Sequence, residues 1–198
     1  MNTFYLIRHG NKERERGDPS LTDSGKNQAS KTGKYLKDKN IKVIFSSPSQ
    51  RTKETAQEIN KILKIEINFN DALVERANFG DVENQDFPEF LEEWYEASQK
   101  RNIEVHGRPS SFQKGEDVKK LILKLSKKYE NKSIVLVTHG GSIGDFARNE
   151  FGDEKIEKIT KKEAYKADES IGECSITKIS VENNKFNLIN FADTTHLT

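Results

Sequence analysis

Short runs of β-branched and aromatic residues recur along the chain and predict strands. Polar or turn-forming residues bound each run, as they do for the short strands of a globular sheet. The predicted strands cover 3–7, 42–45, 65–69, 133–137, 174–181 and 185–191. Because the last two flank Glu182-Asn183-Asn184, they predict a β-hairpin.

Between these runs, apolar residues recur every three or four positions, which predicts helices. The segments with this spacing cover 29–36, 52–63, 87–95, 118–129 and 143–147. Pro88 suits the first turn of the third one. Strands that alternate with helices predict an α/β fold, a three-layer α/β/α sandwich with a mainly parallel central sheet. The terminal hairpin adds an antiparallel edge strand.

The same pattern predicts one domain over residues 1–198. We find no internal repeat, low-complexity tract or linker in the sequence. Segment 78–115 is the least patterned part of the chain, and we expect it to form an excursion over one end of the sheet. This segment would then lie on the substrate side of the sheet, and its residues would determine selectivity for a ligand.

Composition narrows the choice of partners and location. The 33 Lys and Arg residues balance 32 Asp and Glu residues, so the net charge is +1. This balance does not suggest a nucleic acid or an anionic membrane as a partner. Cys174 is the only cysteine, which excludes an internal disulfide. With no apolar run long enough for a signal peptide or a membrane span, we expect a cytoplasmic protein.

The four histidines do not have the spacing of a metal motif. They stand far apart in the sequence, and no pair has the separation typical of zinc ligands. These residues are His9, His106, His139 and His196. The sequence therefore predicts no metal site.

Arginine, histidine and glycine residues stand where three of the predicted strands end. Arg8-His9-Gly10 ends the first, Arg51 begins the helix after the second, and Thr138-His139-Gly140-Gly141 follows the fourth. In open α/β sheets, ligands bind outside the carboxyl ends of the strands. Arginine binds phosphate oxygens in a bidentate manner, and a histidine among such groups can act as a nucleophile. Together these residues predict a phosphoryl site.

Five ordered motifs resemble those of the histidine phosphatase superfamily, in its phosphoglycerate mutase-like branch. They run from Phe4 to about Phe146, and the end of the chain is also similar. The motifs are LIRHG, LTDSGKNQA, IFSSPSQRTKETA, LVERANFGDVEN and IVLVTHGGSI.

This resemblance implies a role for each matching residue. His9 would be the nucleophile that becomes phosphohistidine, and Glu75 would be the proton donor, with Glu83 as its rival. The transferred phosphoryl group would be held by Arg8, Arg51 and His139, with Thr22 near the phosphate.

The chemistry of these groups explains why the reaction would need no cofactor. Two arginines and a histidine supply the positive charge that the equatorial phosphoryl oxygens require, so no Mg²⁺ is needed. Glu75 would protonate the departing alkoxide and then take a proton from the attacking water. The implied activity is a metal-independent phosphatase acting on a small phosphorylated substrate.

The loop after the first motif departs from the family pattern. Asn11 and Lys12 stand where the family commonly has Glu or Gln and then Ser or Thr. A small polar residue that often contacts the phosphate further along has no clear match. The departures leave the core reaction intact, but the substrate cannot be inferred from this loop.

Other activities stay open at this point. A phosphoglycerate mutase needs a lid against water, and this chain is compact where family mutases carry insertions, so we favour the phosphatase. Phosphohistidine-protein phosphatases lack an acid in the place of Glu75, so we favour this activity less than that of a phosphatase of small esters.

The stretch Gly140–Gly144 also matches the nucleophile elbow of serine hydrolases, with Ser142, Asp193 and His196 in the right order. A silent phosphate-binding module is the last alternative. The oligomeric state is not predicted.

Overall fold

A six-stranded sheet forms the middle layer of the protein, for which a computed structural model describes residues 1–198. The strands lie in the order β3-β2-β4-β1-β5-β6 across the sheet. They are β1 (Asn2–Arg8), β2 (Ile41–Ser46), β3 (Ile67–Phe69), β4 (Ser133–Thr138), β5 (Ile176–Glu182) and β6 (Lys185–Asp193).

The sheet is mainly parallel, as the sequence predicts. β1, β2, β3 and β4 pair in parallel, whereas β5 pairs antiparallel with β1 on one side and with β6 on the other. The edge strand β6 therefore pairs antiparallel with its neighbour, β5. β5, the second strand from this edge, runs antiparallel to all the other strands of the sheet. Asn183 and Asn184 join them with φ of 51° and 61°. Positive φ at both residues is the geometry of a tight hairpin turn.

Helices cover both faces of the sheet. They are α1 (Asp23–Leu36), α2 (Gln50–Leu63), α3 (Phe87–Gln99), α4 (Ser111–Lys128), α5 (Gly140–Phe151) and α6 (Asp153–Thr160). α1 packs against α2, and α4 packs against α5. The two pairs bury separate apolar clusters, one with Tyr5 and Ile7 of β1 and the other with Phe4 and Leu6 of the same strand. Alternate residues of one strand thus face opposite layers, which confirms the three-layer sandwich.

Two glycines let the end of β1 approach α1 closely. A Cβ atom on Gly25, in the first turn of α1, would lie 2.0 Å from the carbonyl oxygen of Asn11. A Cβ atom on Gly10 would lie 2.6 Å from the carbonyl oxygen of Gly25. Only residues without a side chain fit this contact between two backbones. It fixes the loop that carries His9 against the start of α1.

Segment 78–115 contains α3 and the first residues of α4. Asp86 and Glu89 form a capping box at the start of α3, and Pro88 stands in its first turn, as predicted. α3 packs against a 3₁₀ segment at Ala164–Ser170. No helix in the structure has both the length and the apolar character that a membrane crossing requires.

Candidate active site

A cavity of about 230 Å³ opens at the carboxyl ends of β1 and β4. Arg8 and His9 reach it from the end of β1, and His139 and Gly140 reach it from the end of β4. Because β1 and β4 are parallel neighbours, with Arg8 paired to Thr138, the residues that follow them emerge side by side. Arg51, from the first turn of α2, and Glu75 also line the cavity.

His9 lies almost fully buried at the base of the cavity, and its hydrogen bond fixes the position of its proton. Its Nδ1 lies 2.9 Å from the carbonyl oxygen of Gly10. Because a carbonyl only accepts, the Nδ1–H of His9 donates this bond. The Nε2 of the neutral ring then keeps its lone pair. His9 is thus held in the tautomer that a nucleophile at Nε2 requires.

His139 takes the opposite tautomer. The Nη2 of Arg51 donates to His139 Nδ1 at 3.1 Å, since a guanidinium can only donate. The Nε2–H of His139 therefore donates to the hydroxyl of Ser47 at 3.0 Å. The His139 ring lies 5.4 Å from that of His9, edge to face. Arg51 and Ser47 together orient the second histidine beside the first.

Burial and neighbouring cations keep both histidines neutral. Desolvation is the main reason that the pKa of His9 lies well below its ordinary value, and the charges of Arg8 and Arg51 lower it further. The pKa of His139 is also well below the usual range, through desolvation and the charge of Arg51. A neutral His9 has the free lone pair that attack on phosphorus needs.

The two arginines are held by protein acceptors. Arg8 donates from Nη1 to the carbonyl oxygen of Ile171 at 2.6 Å, and its Nη2 lies 3.4 Å from Glu173. Arg51 donates to Asp18 at 3.0 Å and to Asn78 at 2.5 Å. These contacts place two fixed positive charges beside His9, where the oxygens of a phosphoryl group would lie.

The side chain of Glu75 reaches the start of α5 and accepts three hydrogen bonds. Its Oε2 accepts from the amide of Gly141 at 2.9 Å, and its Oε1 accepts from the Ser142 hydroxyl and the Arg76 amide, both at 3.1 Å. The carboxyl group is thus held in place by the first turn of α5. Its rival, Glu83, is exposed and does not line the cavity.

Thr22 lies outside the cavity. Its hydroxyl accepts from the amide of Gly25 at 3.0 Å and caps α1, and it donates to the side chain of Asn11 at 2.9 Å. This capping role accounts for the contacts of the hydroxyl. The phosphate contact implied for Thr22 stays a prediction.

Three charged residues line the cavity that the sequence analysis did not assign to the site, namely Lys12, Glu15 and Asp168. Lys12, one of the departures from the family pattern, lines the cavity, and burial together with Arg51 and Arg8 lowers the pKa of its ammonium group. Asp168 lines the cavity from the 3₁₀ segment. Lys12 stands just after the first motif, and this position was the available signal that it belongs to the site. Asp168 lies in a stretch without any motif, so no such signal was available for it.

The contacts of Ser142 do not support the serine hydrolase alternative. Ser142 is fully buried, and its hydroxyl lies within hydrogen-bond distance of Glu75 and of the carbonyl oxygen of Val74. The side chain of His196 instead contacts the hydroxyl of Thr32 on α1 at 3.0 Å. Ser142 therefore has no histidine base among its contacts, which a serine nucleophile requires.

Comparison with known proteins agrees with this arrangement. The sequence model of the histidine phosphatase superfamily (branch 1) matches residues 4–194. The chain belongs to this superfamily. It is 30% identical over 150 residues to the uncharacterized phosphatase PhoE of Bacillus subtilis, across 72% of this chain and 74% of PhoE. It is 29% identical over 152 residues to phosphoserine phosphatase 1 of Hydrogenobacter thermophilus, across 70% of this chain and 71% of that protein.

A solved phosphatase structure has the same fold over its full length. Phosphoserine phosphatase from Entamoeba histolytica, in complex with 3-phosphoglyceric acid, aligns with a TM-score of 0.75 and 26% identity, and covers 100% of both chains. These likenesses confirm the family, the α/β fold and the prediction of a phosphatase. They compare whole chains, whereas the roles of individual site residues are argued from the geometry of the cavity.

Proposed function

We propose that this chain hydrolyses small phosphomonoesters through a phosphohistidine formed on His9. The observation that carries the proposal is the buried, neutral His9, whose Nδ1–H is bound to Gly10 and whose Nε2 is left free between two arginines. This is the state in which a histidine can attack phosphorus without first losing a proton.

The first chemical step transfers the phosphoryl group to His9. The lone pair of Nε2 forms the P–N bond while the ester P–O bond breaks on the opposite side. Arg8, Arg51 and His139 stabilise the charge on the three equatorial oxygens. Glu75 gives its proton to the departing alkoxide, because a free alkoxide is a poor leaving group.

The second step releases phosphate. A water molecule attacks the phosphorus of phosphohistidine and gives a proton to the carboxylate of Glu75, while the P–N bond breaks. His9 regains its neutral ring, Glu75 is protonated again, and inorganic phosphate leaves. The charges that the reaction needs come from side chains, so the proposal includes no metal ion.

Chemical quenching tests the first step. Mixing the protein with ³²P-labelled substrate and quenching within the first turnover should trap a base-stable, acid-labile adduct. Peptide mapping should find the label on His9. The reason is that a phosphoramidate at histidine survives alkali but hydrolyses in acid.

Two variants and a chelator complete this test. His9→Ala should lose the adduct and the activity, whereas His196→Ala, which changes a histidine outside both the cavity and segment 78–115, should keep both. Exhaustive chelation should leave the rate unchanged. Label on Ser142, full activity of His9→Ala, or a chelation loss restored by Mg²⁺ would contradict the proposal.

A mutase is the second candidate, because curated relatives include 2,3-bisphosphoglycerate-dependent phosphoglycerate mutases, such as that of Bartonella henselae. The two activities differ in what accepts the phosphoryl group from His9. Incubation with labelled 3-phosphoglycerate in ¹⁸O-water separates them. A phosphatase yields ¹⁸O-labelled inorganic phosphate, whereas a mutase yields 2-phosphoglycerate without ¹⁸O.

The proposal extends to the organisation of the chain. Residues 1–198 form one catalytic domain, and segment 78–115 determines which leaving group is accepted. Phe79, Phe87 and Trp94 from this segment line the cavity, which supports its role. We also propose a cytoplasmic location, where small phosphorylated metabolites occur and where a single thiol stays reduced.

A further inference from the structure

The cavity contains a carboxylate that has no cationic partner. Asp168 is mostly buried, and its Oδ2 accepts a hydrogen bond from Trp94 Nε1 at 3.2 Å. Its Oδ1 has no hydrogen-bond partner in the protein, and no arginine or lysine forms an ion pair with Asp168. Burial, and then the charge of Glu75, raise the pKa of Asp168 to about 6. A partly buried carboxylate gains from a cationic partner, and Asp168 forms no ion pair within the protein.

The nearby cations are already paired. Arg76 is buried, its Nε lies 3.1 Å from Asp145, and its guanidinium stacks 3.7 Å above the ring of Trp94. Arg148, which lines a smaller pocket together with Asp168, forms an ion pair with Asp153 at 2.9 Å. The protein itself therefore provides no free cation for Asp168.

The remaining cations of the cavity act on His9. Arg8, Lys12 and Arg51 are the positive charges that depress the pKa of His9, so they lie around the phosphoryl position. The charges that act on Asp168 are Glu75, Arg76 and Asp145. The cavity thus combines three cations near the nucleophile with the acidic side chains Glu15, Glu75 and Asp168 among its other lining residues.

Further aromatic rings line the cavity next to Trp94, the ring that contacts Asp168. Phe90 lies 6.0 Å from Trp94, ring centre to ring centre, and both line the cavity with Tyr95 and Phe79. Aromatic faces beside a carboxylate are the surroundings that bind alkylammonium groups. A leaving group with its own carboxylate would instead meet Asp168, a group of like charge.

We propose that Asp168 binds an ammonium group on the leaving group, so that the preferred substrates are phosphomonoesters of amino alcohols. This inference rests on the proposed phosphatase function and makes Asp168 a specificity-determining residue. The substrate would carry its phosphate dianion to Arg8 and Arg51 and its ammonium group to Asp168. Each of its charges would then meet an opposite charge in the cavity.

Three substrates of similar size test the proposal. O-phosphoethanolamine ends in an ammonium group, propyl phosphate in a methyl group and phosphoglycolate in a carboxylate. We expect kcat/KM to fall in that order, with a ratio of about 10 to 100 between the first two, as one charge-assisted hydrogen bond provides. Equal or reversed values for the first two substrates would overturn the proposal.

Asp168→Asn is the decisive variant, because asparagine still accepts a hydrogen bond from Trp94 but carries no charge. The ratio of kcat/KM for phosphoethanolamine over propyl phosphate should fall to near one. Glu169→Gln, which changes the neighbouring acid outside the cavity, should keep the wild-type ratio. Since both substrates are measured on the same preparation, any unfolded fraction cancels from the ratio. An unchanged ratio in Asp168→Asn would show that Asp168 merely anchors Trp94.

Hydrolysis of p-nitrophenyl phosphate separates this proposal from the proposed function. If that ester is cleaved in a His9-dependent manner but the amine is not preferred, the phosphatase stands and the ammonium site is wrong. If His9→Ala cleaves all the esters as wild type does, the proposed function is wrong, and the ammonium site, which depends on it, is wrong as well.

Discussion

Glu75 is the residue whose role depends most on the chemistry of the leaving group. An alkyl phosphate expels a strongly basic alkoxide, whereas p-nitrophenyl phosphate expels a weak base that leaves without a proton. Glu75→Gln should therefore slow the phosphorylation of His9 by about 10²–10⁴-fold with alkyl phosphates. The same step should slow far less with the nitrophenyl ester. Single-turnover kinetics measure this step without interference from the hydrolysis of the phosphoenzyme.

The control for this prediction is Glu83→Gln, which changes the exposed acid in the same stretch of sequence. It should behave as wild type on both esters. Equal losses on the two esters in Glu75→Gln would mean that Glu75 does not act as the acid, and Glu83 would then have to be considered again.

The sequence alone predicted that Arg8, His9, Arg51 and His139 would lie together. Each follows a strand that ends at the same edge of a parallel sheet, so their proximity follows from topology. The orientation of the side chains does not follow from topology. The opposite tautomers of His9 and His139 arise from hydrogen bonds to a carbonyl and to an arginine. Asp168 was missed because it meets the cavity only through the packing of the 3₁₀ segment against α3.

At the scale of elements, the start of α5 holds the proposed acid. Ser142 and the amide of Gly141 both donate to Glu75. Ser142→Ala should therefore lower kcat for alkyl phosphates by about 2- to 10-fold, the worth of one neutral hydrogen bond, and leave KM nearly unchanged. The rate with p-nitrophenyl phosphate should change less, because that ester depends less on the acid.

A double-mutant cycle with Glu75→Gln distinguishes positioning from general damage. If Ser142 acts through Glu75, adding Ser142→Ala to Glu75→Gln should produce no further loss of rate. Multiplicative losses would show that Ser142 contributes to the structure independently. Ser142→Thr, which keeps the hydroxyl, should recover part of the wild-type rate.

Elements were predicted well where an apolar pattern exists and less well where side chains decide the boundary. β3 was expected over 65–69 but starts at Ile67. The side chain of Asn60 binds both the amide and the carbonyl of Ile65, which keeps that residue out of the ladder. α6 was not predicted because only Ile156 of its residues is buried. The sequence signal available for this helix was its charge pattern, because the acidic residues in its first turn and Lys158 in its last turn complement the helix dipole.

At the scale of the whole molecule, the two buried histidines make stability depend on pH. Their pKa values are well below 6.5 in the folded protein, so the unfolded chain binds more protons as the pH falls below 6.5. Stability is therefore fully present above that pH and is lost as the pH decreases. Each histidine should lower the free energy of unfolding by about 1 kcal/mol between pH 6.5 and 5.5.

Urea denaturation at pH 7.5, 6.5 and 5.5 measures this loss. The His9→Gln/His139→Gln double variant removes both groups, so its stability should fall less over the same interval. Other titrating groups, including His196 and Asp168, are present in both proteins and cancel from the difference. Identical pH dependence in the two proteins would show that the buried histidines are protonated as easily in the folded as in the unfolded state.

The single cysteine has a consequence for how this enzyme responds to oxidants. Cys174 is fully buried, and burial raises the pKa of its thiol to about 12, so the reactive thiolate is absent at neutral pH. Phosphatases that attack with a cysteine thiolate lose their nucleophile to peroxide, because low-pKa, accessible thiolates are the ones that oxidise. Here the proposed nucleophile is an imidazole. We therefore expect dephosphorylation by this chain to continue at peroxide concentrations that inactivate phosphatases with a thiolate nucleophile, which an activity assay after peroxide treatment measures.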